Sequence, residues 1–260
     1  MKFGGASLAS VDHFDRIATL IKQKTALTKQ IVIVVSAMLE TTNHLISLAK
    51  KVHPSPPQRE YDMLISVGER ISISLLAMAL AKQHISAISL TGSQSGIITC
   101  TTHSDARIID VRPNRIIDGF SNGNIVIVAG FQGVSNSKEI TTLGRGGSDT
   151  SAVALGIALD ACCVEFYKDV GGIFSKDPKI HSDAIHHSSL TYDEALRIVS
   201  EGAKVLHKRA LFMAKLHKMP LKIVPFDSES PVKGTKICDN RLPSKNQKVY
   251  ETQVAPYSLN

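Results

Sequence analysis

Gly144-Arg145-Gly146-Gly147-Ser148-Asp149-Thr150-Ser151 runs without a break into the apolar residues 152–159. Glycines let the backbone turn tightly and come close to a ligand, and the helix that follows starts with unpaired N–H groups that favour an anion. Arg145 adds a side chain able to grip a carboxylate or phosphate through two parallel hydrogen bonds. Taken alone, the stretch is also an ordinary connection between a strand and a helix. Its meaning depends on what surrounds it.

Working outward, runs rich in Val and Ile recur at residues 31–35, 85–90, 125–129, 162–167 and 221–224, each flanked by segments of helical periodicity. Val11, Phe14, Ala18 and Ile21 keep a helical rhythm behind Ser10 as N-cap, with Asp12 in the first turn. Further helices are expected from Gly68 to Ala81 and over residues 191–200 and 205–216. This alternation predicts an α/β fold: a mainly parallel central sheet covered by helices on both faces, three layers in all. Pro54, Pro56 and Pro57 mark a surface loop, and residues 135–142 form a polar loop suited to a hairpin. After about Pro231 the pattern weakens, and residues 247–260 read as a polar tail with no core of its own.

With 260 residues, 43% of them hydrophobic, the chain can bury a large core. Lysine plus arginine exceed aspartate plus glutamate by 30 − 23 = 7, an excess that suits polyanionic ligands without choosing among them. Aromatic residues make up only 5%, with no Trp, which argues against base-stacking platforms and hence a nucleic-acid partner. Cys100, Cys162, Cys163 and Cys238 form no CxxC pair, and buried reduced thiols are expected. The histidines lack ligand-like spacing, so no metal centre built from side chains is expected. The longest apolar runs fall far short of the ~20 residues of a membrane span, and no signal peptide precedes Lys2; a cytoplasmic protein is expected.

In open parallel sheets, ligands sit beyond the carboxyl ends of the strands. This chain places Gly4-Gly5, Ser36, Thr91-Gly92, residues 130–133 and residues 168–172 there. Lys2-Phe3-Gly4-Gly5 sets a lysine at a strand start with two glycines behind it, suited to amides wrapping a phosphate. Neither GxxxxGK[ST] nor GxGxxG after a strand is present, so a P-loop and a dinucleotide fold are unsupported.

Six motifs follow one another: Lys2-Phe3-Gly4-Gly5, Val34-Val35-Ser36-Ala37-Met38, Gly68-Glu69-Arg70, residues 142–151, Lys168-Asp169-Val170-Gly171-Gly172 and Gly202-Ala203-Lys204-Val205-Leu206-His207. In this order they resemble the catalytic part of the aspartate kinases, over a match reaching to about Ile237. The resemblance implies the three-layer amino-acid kinase fold and transfer of the ATP γ-phosphoryl group to the side-chain carboxylate of L-aspartate, giving 4-phospho-aspartate and ADP. It further implies a catalytic domain over residues 1–240, with an acceptor lobe to about 145, a nucleotide lobe from about 146 to 240, and a polar tail over 241–260. A carboxylate acceptor is already ionised at neutral pH, so the difficulty lies in bringing two anions together.

By the same resemblance, Lys2 lies against the transferring phosphoryl group, and Asp149 orients Lys2 or the acceptor amine, its plainer alternative being a helix cap. Arg145 holds the acceptor α-carboxylate, Glu69 its α-ammonium, and Ser36, Thr42 and Ser148 supply hydroxyls. Gly4, Gly5, Lys168, Asp169, Phe174, Lys179, Lys204 and Val205 surround ATP, whose Mg²⁺ is carried mainly by the phosphates and water. A homo-oligomer is compatible with the family.

Several positions depart from the family pattern. Lys168 stands where threonine is common, Phe174 replaces a usual tyrosine, Lys179 an arginine and Lys208 a proline. Leu39-Glu40 occupy a place where Gly-Lys or small residues are frequent. Family members usually carry residues ahead of the first motif, predicting a short first strand here, and often two C-terminal ACT modules, which this sequence does not include. The rival readings are another kinase of the fold, acting on glutamate, acetylglutamate or a nucleotide, and a non-catalytic ligand sensor.

Overall fold

A computed structural model describes residues 1–176, 180–181, 183–203, 205–226, 233–239 and 250–251. The expected strands form around β1 (Lys2–Phe3), β2 (Val32–Val35), β3 (Ala87–Leu90), β6 (Ile125–Ala129), β9 (Val164–Lys168) and β13 (Leu221–Pro225). With β12 (Ser189–Leu190) and β14 (Thr235–Ile237) they make an eight-stranded sheet of order β12-β14-β13-β9-β1-β2-β6-β3. Every pairing in it is parallel except β13 with β14.

Alternate residues of the central strands enter two separate cores, which is why these strands read as unbroken apolar runs. Val126 and Val128 of β6 face a core shared with α6 (Gly147–Ala158), α7 (Tyr192–Ser200) and α8 (Lys208–His217). Ile125, Ile127 and Ala129 face the other, built with α1 (Val11–Thr25) and α4 (Val67–Lys82). The sheet is thus sandwiched between helical layers.

A second sheet was not legible in advance. β4 (Ile97–Thr99), β5 (Ile108–Val111), β7 (Gln132–Ser135) and β8 (Ile140–Thr142) form it in the order β5-β4-β7-β8. β7 and β8 are the expected hairpin, antiparallel from Gln132↔Thr142 to Val134↔Ile140. Against it packs α3 (Gln58–Ile65), on which α2 (Thr41–Val52) rests, while α5 (Asn114–Ser121) precedes β6. The short antiparallel pair β10 (Ile173–Phe174) and β11 (His186–His187) projects beyond β9.

Several boundaries move. Ile85 is held by the carbonyl of Leu80 as α4 ends, so β3 starts only at Ala87. Val205 lies in a loop, and α8 begins at Lys208. Ser10 occupies the N-cap position of α1 but makes no side-chain capping bond. The cysteines correct the expectation of buried thiols: all four are free, Cys162 is exposed and the others are half-buried. β9 starts after them, at Val164. Of the expected polar tail, Tyr250 and Glu251 are both buried: Tyr250 joins the core, and Glu251 accepts from the Ile108 amide at 2.8 Å and from Arg209 at 2.6 Å.

The span Gln58–Lys82 is long and apolar enough to cross a membrane by length and composition alone. Half of its most apolar window is buried, it is interrupted at Ser66, and it carries the buried carboxylates Asp62 and Glu69, which marks the inner helices of a folded domain.

Candidate active site

Three local devices bring the chemistry to the carboxyl edge of the central sheet. The first is β1, which lies between β2 and β9 with Lys2 in register with Val34 and Phe166. The second is the glycine turn. Gly144 and Gly146 both adopt left-handed backbone, at φ +69° and +71°, a region other residues enter at a cost. A Cβ at Gly146 would sit 2.1 Å from the His207 ring, so bulk as well as dihedral selects glycine. The third is α6, whose first turn carries Ser148 and Asp149 towards the strand ends.

These devices meet in a buried charge cluster. Lys2 Nζ lies 2.8 Å from Asp149 Oδ1, and Lys168 Nζ lies 3.7 Å from Oδ2. Burial would raise the Asp149 pKa, but the two lysines, with hydrogen bonds from Lys2 and the His207 backbone, hold it below its ordinary value. For Lys168 burial dominates: with the neighbouring Lys2 charge it outweighs the attraction of Asp149, and the pKa is lowered. Two lysines share one carboxylate, at the positive end of a helix. The cluster therefore keeps a surplus of positive potential suited to a phosphate-bearing ligand.

Beside the cluster opens a cleft of about 790 Å³. Lys2, Gly5, Ser36, Thr42, Glu69, Arg145, Ser148 and Asp149 of the expected site residues all line it. Glu69 is 3% exposed, its Oε1 accepting from the Ala37 amide at 2.9 Å while Oε2 has no partner. Burial pushes its pKa up to about 8, only partly offset by hydrogen bonds and by Lys2. Arg145 also lines the cleft and is exposed, and no ion pair holds it among the described residues. Ser148 packs so closely on β6 that a side chain at Gly130 would meet its Cβ at 2.8 Å. A buried acid and an available cation lining one cleft match an α-amino acid, whose ammonium and carboxylate stand on one carbon.

The nucleotide-side residues are more dispersed. A Cβ on Gly4 would stand 3.4 Å from Lys2 Nζ, so Gly4 lies directly beside the buried ammonium. Asp169 is exposed at the end of β9, Phe174 packs edge-on to His186, and Val205 is half-buried. None of Lys168, Asp169, Phe174 and Val205 lines the cleft. Lys179 and Lys204 lie outside the described residues. Among the described residues, no group of three or more His, Cys, Asp and Glu could hold a metal ion.

Sequence reasoning missed Asn43, Tyr61 and Ser104, which also line the cleft, as does Phe131 from the stretch 130–133 expected at the strand ends. Asn43 lies on α2, Tyr61 on α3 and Ser104 on the loop before β5, and no motif flagged these three. Glu40, which also lines the cleft, takes left-handed backbone at φ +65°, a region that residues other than glycine enter at a cost.

A profile of the amino acid kinase family matches residues 1–225. The chain belongs to the amino acid kinase family. Among its relatives is an aspartokinase of Mycolicibacterium smegmatis, 48% identical over 238 residues, which cover 90% of this chain and 56% of that protein. The crystal structure of aspartate kinase from Synechocystis superposes with a TM-score of 0.82 at 43% identity, covering 95% of this chain and 40% of that one. Aspartokinase III of E. coli, solved in complex with aspartate and ADP, gives the same TM-score at 24% identity, covering 93% and 64%. That last likeness speaks to the family fold alone. The chain spans about half the length of the curated relatives it matches.

Proposed function

We propose that this chain is the catalytic portion of an aspartate kinase, transferring the γ-phosphoryl group of ATP to the side-chain carboxylate of L-aspartate. The observation that carries this reading is the cleft lined together by Lys2, a Glu69 with one oxygen lacking a hydrogen-bond partner, and an available Arg145. The aspartokinase relatives support the choice of acceptor.

The acceptor is assigned to residues up to about 145 together with Ser148, and the nucleotide to residues 146–240 with Gly4 and Gly5. Glu69 receives the α-ammonium, Arg145 the α-carboxylate, and Ser36, Thr42 and Ser148 orient the reacting end. Lys2 stands where charge builds on the transferring phosphoryl oxygens, and Asp149 fixes its ammonium. Lys168, in place of a hydroxyl, contributes a second cation to the phosphates, and Asp169 offers a carboxylate to the ribose. Phe174, Val205, Lys179 and Lys204 are assigned to the nucleotide. A magnesium ion, when bound with ATP, neutralises phosphate charge; its ligands would be phosphate oxygens and water rather than a side-chain cage.

The reaction needs no strong base, since the acceptor arrives ionised. Lys2 and Arg145 offset the repulsion between the two anions, and the cleft holds them in line. The products place the protein at the entry to lysine, threonine, methionine and diaminopimelate synthesis, in the cytoplasm. The test is ADP release dependent on L-aspartate, with the acyl phosphate trapped by hydroxylamine. ADP release with glutamate or acetylglutamate in its place, or binding of both ligands without turnover, overturns the assignment.

A further inference from the structure

The cleft wall that carries Arg145 is held from behind by a carboxylate outside every motif used above. Asp62, on α3, is fully buried. Its two oxygens receive five donor groups from two other segments. The Thr142 hydroxyl lies 2.6 Å from Oδ1 and the Thr142 amide 3.1 Å from Oδ2. The Ser104 amide reaches both oxygens at 3.1 and 3.0 Å, the Ser104 hydroxyl lies 3.3 Å from Oδ1, and His103 Nδ1 lies 2.8 Å from Oδ2.

Both segments lead directly to the acceptor wall. Thr142 ends β8, two residues before Gly144, and Ser104 itself lines the cleft. Ser104 also holds left-handed backbone at φ +65°, a conformation that costs a non-glycine residue about 1 kcal/mol or more and persists where bonds impose it. The loop and the turn touch: a Cβ on Gly144 would meet Asp105 Oδ1 at 2.9 Å and the Ser104 carbonyl at 3.2 Å. Between them, Arg209 donates to the Leu143 carbonyl, to Asp105 and to the Ala106 carbonyl.

We propose that Asp62 is a positioning residue for the acceptor: it clamps Ser104 and the end of β8 so that the Gly144-Arg145 turn presents its guanidinium to the cleft. It never touches the substrate. The kinetic part of this proposal rests on the aspartate kinase reading, whereas the clamp itself does not. An ionised carboxylate only accepts hydrogen bonds. Asp62→Asn keeps the shape but turns one oxygen into a donor facing donors, leaving groups on Thr142 or Ser104 unpaired.

The experiment compares wild type, Asp62→Asn, Thr142→Val and Thr142→Ser by amide hydrogen exchange and by steady-state kinetics. In Asp62→Asn, exchange over residues 103–105 and 142–147 is expected to accelerate about tenfold or more, while residues 164–168 keep the wild-type rate. The KM for aspartate is expected to rise about tenfold with the KM for ATP within about twofold. Thr142→Val shows the same pattern more weakly and carries the test if Asp62→Asn fails to fold. Thr142→Ser, which keeps the hydroxyl, restores both readouts. Unchanged exchange at residues 142–147, acceleration spread equally over residues 164–168, or both KM values rising together would overturn the proposal. A wild type that neither binds nor phosphorylates aspartate sinks the functional reading instead, and exchange still decides the clamp.

Discussion

Asp149 and Glu69 are carboxylates buried to nearly the same degree, 6% and 3% exposed, in walls of one cleft, yet they are poised in opposite ways. Asp149 stands between two lysines and stays ionised below its ordinary pKa. Glu69 has one amide bond and one empty oxygen, and burial pushes it up to about 8. Burial does not set the state of a buried acid; the number of cationic partners does. Asp149 has its counter-charges from the protein itself, whereas Glu69 awaits whatever cation enters the cleft.

The contrast can be broken most forcefully at Lys2. Lys2→Ala is expected to lower kcat by about 10³-fold while leaving aspartate KM within a few-fold, because the ammonium acts on charge that develops during transfer. A change confined to KM would remove Lys2 from that role. Next in size, Asp149→Asn is expected to reduce unfolding free energy by about 3 kcal/mol in urea titration, since the buried Lys2 and the half-buried Lys168 lose their common partner. Glu69→Gln is expected to raise aspartate KM roughly 30-fold without a matching change for ATP, the charge of the ammonium's partner being lost.

The pH dependence of aspartate affinity should then separate the two acids. The entering ammonium needs ionised Glu69, so affinity should climb from pH 6 to about 8 with a limiting slope of one decade per pH unit and flatten above that. Binding near pH 7 should release most of a proton, measurable by calorimetry in buffers of different ionisation enthalpy. Glu69→Gln should abolish both the slope and the release. The smallest effect concerns the ligand-free protein. A carboxyl whose folded pKa lies above its unfolded value binds more protons when folded, so its contribution to stability falls as pH rises from about 4.5 to about 8. Glu69→Gln should therefore gain on wild type by about 1 kcal/mol or more across that window and hold the advantage above it. A variant that tracked wild type at every pH would leave Glu69 without its isolated charge.

What the sequence disclosed follows from what periodicity can carry. Strands buried on both faces, such as β6, announce themselves as apolar runs, and the glycine turn announces itself because Gly144 and Gly146 need conformations other residues avoid. β4 and β5 are three and four residues long, too brief for a pattern to rise above its surroundings. Asp62 gave no sign because nothing local distinguishes a clamping carboxylate from a solvated one; its partners lie some 40 and 80 residues away. The pairing of Lys168 with Asp149 was invisible for the same reason, although the lysine itself stood out as a departure. The placement of Glu251 depended on Arg209 and Ile108, remote groups that a polar composition does not reveal.

The two-residue strand β1 makes the seat of Lys2 depend on pairing between distant parts of the sequence. Lys2 owes its position to Val34 on one side and to Phe166 on the other, and the second contact closes most of the polypeptide into a loop. A chain lacking either flanking strand still contains the ammonium but has no seat for it. Phosphoryl transfer would accordingly be among the last properties acquired during refolding and among the first forfeited when the sheet loosens at its middle.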